Sequence, residues 1–166
     1  RDLQISLLPK STPKRNDLDI ATFMRSSTEV GGDYYDFMSQ ENGNIYSICG
    51  DATGHGVTSG MMVSITKAGL NGIEAIAPNV ILQKLNKVVK KVDLGTLRMS
   101  LNIVEISQNE LIMSSAAMPP IYLYKSGSNT VEELMQSGLP LGGLKNESFE
   151  QIKRNFESGD VLIQLS

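Results

Sequence analysis

The sequence predicts an α+β domain of layered sheet and helix, with strands paired mainly antiparallel. Three observations predict it. Short strand patterns flank an Asn42-Gly43 turn signal near the start. Two consecutive helical patterns follow, over Val57 to Ile76 and Pro78 to Val92. The second half then changes period, into short apolar segments punctuated by Gly, Pro, Asn and Ser. A chain of 166 residues with 40% hydrophobic content fits one domain, able to bury roughly 70% of its unfolded surface.

Leu3 to Leu8, closed by Pro9, reads as the end of an incoming helix, and residues 1–16 as an entry segment. Asp19 to Met24 reads as a strand, broken by Ser26-Ser-Thr28 and Gly31-Gly32. Tyr34 to Met38 and Asn44 to Cys49 form the expected hairpin. In the first helix Met61, Met62, Ile65, Ala68, Gly69 and Gly72 predict one small or apolar face. In the second, Val80, Ile81, Leu85, Val88, Val89 and Val92 recur at helical spacing, and Lys84, Lys87, Lys90 and Lys91 cover the other face. An antiparallel meander is expected after that, over residues 97–106, 110–115, 121–125, 131–135, 149–156 and 161–165.

One His and one Cys cannot build a Cys/His zinc site, a multi-His centre or a disulfide framework. A net charge of -3 argues against a nucleic-acid binder, and no apolar run approaches the roughly 20 residues of a membrane span. Cys49 in an apolar strand pattern suggests reducing surroundings, so the expected location is cytoplasmic. What remains is carboxylate, 18 Asp and Glu together. A metal here would be a hard one, held through oxygen.

Two glycine-flanked aspartates lie 18 residues apart, in Gly31-Gly32-Asp33 and Gly50-Asp51. If the two strands pair as a hairpin, Asp33 begins one and Asp51 ends the other, so their carboxylates converge. Converging carboxylates repel unless protonated or neutralised by a cation. The turn from Ala52 to Gly56 frees the Ala52 carbonyl as a further ligand, and the helix behind it presents N–H donors. Ordinary turn chemistry gives the same glycine-aspartate pairs. His55 reads as a loop residue or a catalyst, Met61-Met62 as core, and Arg25 as a surface arginine or a phosphate contact. A phosphate loop of the nucleotide-binding kind fails, because no lysine follows Gly56.

Glu29-Val-Gly-Gly-Asp-Tyr-Tyr-Asp-Phe37, Gly50-Asp-Ala-Thr-Gly-His-Gly56 and Met61-Met62 resemble the RsbU/SpoIIE-type bacterial branch of the metal-dependent protein phosphatases, the PPM or protein phosphatase 2C-like family. Leu7-Leu8-Pro9, Ser115-Ala-Ala-Met-Pro-Pro-Ile121, Gly138-Leu-Pro-Leu-Gly142 and residues 158–166 match in order and spacing. The resemblance implies a β-sandwich of two mainly antiparallel sheets flanked by helices, with residues 17–166 as the phosphatase domain. It implies two Mn²⁺ or Mg²⁺ ions, with Asp51 bridging them and Asp33 and the Ala52 carbonyl as further ligands. A metal-activated water would attack phosphoserine or phosphothreonine in line, with His55 a candidate acid and Asp36 orienting the loop. The implied substrate is a phosphorylated anti-sigma-factor antagonist of the STAS type. An upstream sensor in the same polypeptide and a homodimer are also expected.

The chain departs from that pattern. Ser26-Ser27 replace a usual Pro-Ala pair, and Ala117-Met118 replace a usual Gly-His. The family continues past Ser166 with an Asp-Gly motif and a later aspartate, so the domain is expected to be C-terminally incomplete and the piece inactive. The competing expectation is a catalytically degenerate phosphatase-fold domain that binds a partner as a regulatory module.

Overall fold

The computed structural model describes residues 6–25, 31–74 and 76–166. The elements are β1 (Asp33–Ser39), β2 (Ile45–Ala52), α1 (Val57–Asn71), α2 (Pro78–Val92), β3 (Met99–Ile106), β4 (Glu110–Ala116), β5 (Ile121–Lys125), β6 (Thr130–Leu134), β7 (Ile152–Asn155) and β8 (Val161–Ile163). Sheet one has five strands in the order β1-β2-β3-β4-β7, and sheet two has three, β6-β5-β8. Every pairing is antiparallel.

The second half is not the simple meander expected. The chain leaves β4 for sheet two, returns as β7 to the far edge of β4, and crosses again as β8. The departure occurs at Ala117, which takes a left-handed φ of 57° just before Pro119 and Pro120 end the pairing. A Cβ is strained there, which explains a glycine preference at this position. Ala117→Gly is expected to stabilise the protein by about 0.5–1 kcal/mol. Urea unfolding checks this; a lower midpoint contradicts it.

β3 is buried on both faces. Met99, Leu101 and Ile103 join Met62, Val63 and Leu70 of α1 and Ile81, Leu82 and Leu85 of α2 in one core. Val104 and Ile106 join Leu111, Met113 and the sheet-two residues Ile121, Leu123 and Leu134 in a second. The layers therefore run helices, sheet one, sheet two.

α2 matches its prediction in extent, with Pro78 in the first turn and Lys90 and Lys91 in the last, each favourable where it stands. Its buried face is Pro78, Ile81, Leu82, Leu85, Asn86 and Val89, whereas Val92 is exposed. α1 ends at Asn71, ahead of the predicted Ile76, because the Gly72 N–H already closes the last turn on Ala68 and Gly69. Its sheet-facing residues are Ser59, Gly60, Met62, Val63, Thr66 and Leu70, a face turned away from the predicted one, and Met61 is exposed. The small residues have another use. A Cβ on Gly69 would stand 2.8 Å from Leu85 Cδ2, so α1 meets α2 there.

Asp19 to Met24 is not a strand. No ladder partner reaches it among the described residues, and Phe23 is 88% exposed. Just before it, Arg15 donates to the Ile106 carbonyl at 2.9 Å and the Ser107 carbonyl at 3.0 Å, tying the entry segment to the β3–β4 turn. Ser6 and Leu7 are helical, and Leu7 and Leu8 pack on the helix-side core. The start of the expected incoming helix at Leu3 and the break at Ser26 to Thr28 lie outside the described residues.

In sheet two Asp160 anchors the turns. It accepts from Ser126 N at 2.9 Å, Glu157 N at 3.0 Å and Lys125 Nζ. Burial pushes its carboxyl up, but those donors outweigh it and hold the group down to about 2. A depressed carboxylate contributes stability above its unfolded value of about 4 and loses it as pH falls toward about 2. Asp160→Asn is therefore expected to flatten that acid limb of the stability curve. An unchanged limb in denaturant titrations across that window would contradict it.

Candidate metal centre

The predicted hairpin forms, and Gln40 and Asn44 close it around Gly43, whose φ is 86°. Asp33 and Asp51 are direct register partners. Directly opposed residues point to one face, with Cβ atoms about 5 Å apart. The next strand puts Ser100 opposite Asp51. The three form a row across the end of sheet one, on the face turned to sheet two.

Charge repulsion is already visible in this row. Burial and then the nearby Asp33 carboxylate hold the Asp51 carboxyl above the usual range. Cys49 stands two residues before Asp51. Burial, followed by Asp33, pushes its thiol up to about 11.

Gly32 explains the double glycine. A Cβ there would stand 2.1 Å from the Ala52 carbonyl oxygen, 2.6 Å from Asp51 Oδ1 and 2.8 Å from Ala52 N. Ala52 N donates to the Gly32 carbonyl at 3.0 Å. Absence of a side chain at Gly32 thus lets β1 close on the Ala52 carbonyl and the Asp51 carboxylate. Two carboxylates and a carbonyl converging on one strand end make a donor set that fits a divalent hard cation. Among the described residues no group of three or more His, Cys, Asp or Glu side chains gathers to hold a metal.

Beyond Asp51 the chain turns through Gly54 and Gly56, both at positive φ, into α1, which has no side-chain N-cap. Thr53 and Arg98 bond reciprocally, Thr53 N to the Arg98 carbonyl at 3.0 Å and Arg98 N to Thr53 Oγ1 at 2.8 Å. His55 is exposed in this loop, at the same strand end as the aspartates. Arg25 is exposed as well.

Asp36 lies elsewhere. Its side chain faces α1, where Tyr34 Oη and Lys67 Nζ each approach Oδ2 at 2.6 Å. It does not reach the Ala52 to Gly56 loop that it was expected to orient. Tyr34 and Lys67 went unread in the sequence. Tyr34 carries the alternation of its strand, but nothing in the spacing pairs it with a lysine 33 positions on.

The family model for stage II sporulation protein E matches residues 41–166. The chain belongs to the SpoIIE family. It is 26% identical over 169 aligned positions to the phosphoserine phosphatase RsbU of Bacillus subtilis strain 168, covering 99% of this chain and 50% of that protein. The chain thus spans about half the length of that relative. Among solved structures, the SiaA PP2C domain of Pseudomonas aeruginosa superposes with a TM-score of 0.69 at 20% identity, over 80% of this chain and 54% of that one. RsbX in complex with magnesium gives 0.65 at 16% identity, over 79% and 63%. The two antiparallel sheets with their flanking helices are therefore the PP2C-like fold.

Within this SpoIIE-family chain, the segment that departs from the usual Gly-His places Ala117 in its left-handed bend and Met118 in the interior, 5% exposed. Gly142, from the Gly-Leu-Pro-Leu-Gly segment, has φ 85° and lies so near α2 that a Cβ would meet Val89 Cγ1 at 2.8 Å. No described helix is long and apolar enough to cross a membrane.

Proposed function

We propose that residues 17–166 form a phosphatase domain that removes phosphate from phosphoserine or phosphothreonine on a bacterial signalling partner in the cytoplasm. The observation that carries this reading is the Asp33–Asp51 register pair closed by Gly32. Family membership and the similarity to a phosphoserine phosphatase support it. Asp33, Asp51 and the Ala52 carbonyl would hold Mn²⁺ or Mg²⁺. When bound, such ions supply a water acidic enough to attack at neutral pH and charge to stabilise the leaving oxygen. The carboxylates fix the cations at the strand end, and the side-chain-free backbone at Gly32 keeps the carbonyl within reach. His55, exposed on the loop that follows Asp51, would give a proton to the leaving serine or threonine oxygen. The partner in this reading is an anti-sigma-factor antagonist, with residues 1–16 leading in from an upstream sensor.

The test is phosphate release from a phosphoserine protein by the complete protein. Release is expected to require Mn²⁺ and to stop with excess chelator. Release that persists in chelator overturns the reading. Absence of both release and Mn²⁺ binding favours a partner-binding module, the reading that the buried Met118 also favours.

A further inference from the structure

The resemblance implies that Asp36 orients the Ala52–Gly56 loop, yet its buried carboxyl faces α1 and reaches Lys67 instead. The Asp36 side chain is 12% exposed and that of Lys67 26%. Oδ2 takes hydrogen bonds from Lys67 Nζ and Tyr34 Oη, both at 2.6 Å, and Oδ1 takes the Phe37 N–H at 2.9 Å. Lys67 Nζ also stands 6.0 Å from the Tyr34 ring centre, within cation–π range. The Asp36 carboxylate is therefore fully satisfied, and its ammonium partner comes from a different element.

That element is α1. Its first residue, Val57, lies six positions after Asp51. The connection bends through Gly54 and Gly56 in left-handed conformation, and no side chain caps the helix start. The hydroxyls of Ser59 and Ser64 bond back to Gly56 and Gly60 within the same segment. Ahead of it, Thr53 is tied to Arg98. Both β1 and α1 run away from the candidate centre. Asp36 is about 10 Å down the strand from Asp33, and Lys67 about 15 Å down the helix from Val57. The ion pair closes a circuit that runs from Asp33 along β1 to Asp36, across to Lys67, and back through α1 to the Ala52–Gly56 segment.

We propose that Asp36, Lys67 and Tyr34 are positioning residues: they seat α1 on β1 and thereby fix the segment that carries the Ala52 carbonyl. The benefit to the metal centre rests on the reading of Asp33, Asp51 and Ala52 as ligands. The mechanical part, the seating of residues 52–58, does not.

The test uses the complete protein and two readouts, amide hydrogen exchange and Mn²⁺ binding by calorimetry. Lys67→Met is expected to speed exchange at residues 52–58 by about tenfold while the β2–β3 ladder keeps its protection. The Mn²⁺ dissociation constant is expected to rise by about 10-fold or more, as for other groups that orient ligands from behind. Lys67→Arg, which keeps the charge, should restore both readouts to near the parent values. Tyr34→Phe removes one donor but keeps the ring, and should shift both in the same direction by less; it decides the matter if Lys67→Met does not fold. Exchange that rises only around residue 67, or uniformly over the whole domain, overturns the proposal, because ordinary packing loss gives that pattern. If the parent protein binds no Mn²⁺, the ligand reading fails and the exchange pattern alone decides the seating.

Discussion

Asp51→Asn is expected to raise the unfolding midpoint of the metal-free protein and to reduce Mn²⁺-dependent phosphate release by at least about 10²-fold. The two effects have one cause. Asp51 is held above the usual carboxylate range by burial and by Asp33. A raised carboxyl makes the folded state less stable when ionised, and the lost stability returns as pH falls through the folded value. The amide removes that repulsion at every pH, and with it the charge that a divalent cation needs. Mild acidification should therefore stabilise the metal-free parent protein more than the variant. Saturating Mn²⁺ should abolish that difference in the parent. Calorimetric scans across the acid range, with and without Mn²⁺, check the stability half, and phosphate release checks the other. A lower midpoint together with undiminished release would sink the account.

Gly32→Ala is expected to be nearly as damaging, although it removes no functional group. Its new Cβ would stand 2.1 Å from the Ala52 carbonyl oxygen and 2.8 Å from Ala52 N. Those are backbone atoms at the end of β2 and cannot swing aside as a long side chain could. The start of β1 must lift, breaking the 3.0 Å bond from Ala52 N to the Gly32 carbonyl and parting Asp33 from Asp51. A cost of about 1–3 kcal/mol is the usual range for such overpacking. Mn²⁺ affinity is expected to fall about 10–100-fold, the range for displaced ligand supports. Gly127→Ala is the control, because a Cβ there meets nothing within 4 Å; it should leave both quantities unchanged. Equal Mn²⁺ affinity in Gly32→Ala and the parent would refute the close-approach argument.

The hairpin that carries the aspartates was legible because its signals are local. Asn42-Gly43 fixes the turn, and the turn fixes the register that sets Asp33 opposite Asp51. α2 was legible because its lysines leave a single apolar stripe. α1 was legible as a helix, but its buried face was not, since two of its faces are used. Met62, Thr66 and Leu70 meet the sheet while Gly69 meets Leu85, and the pattern of small residues points between them. The buried Ser59 and Thr66 carry no hydrophobic signal at all. Asp19 to Met24 has strand propensity but no partner, and propensity without pairing does not make a strand. The Asp36–Lys67 pair joins elements 31 positions apart through two ordinary charged residues, a contact that no spacing rule anticipates. The crossing of the chain between the sheets was likewise invisible, because the alternation within a strand is the same whichever sheet it joins.

That crossing bears on how the polypeptide assembles. β4 finds its outer neighbour, β7, only after β5 and β6 have been laid down in the other sheet. Sheet one gains β7 only after β5 and β6 have been laid down in sheet two, and sheet two gains β8 after that, so the two sheets are completed by interleaved segments. Such long-range pairing is slow to nucleate. During synthesis, a nascent chain that has emerged as far as residue 151 presents β4 with an open edge, which templates association with other chains. Aggregation during expression is thus expected to be governed by how quickly Ile152 to Asn155 arrive, and far less by the hairpin that bears the aspartates.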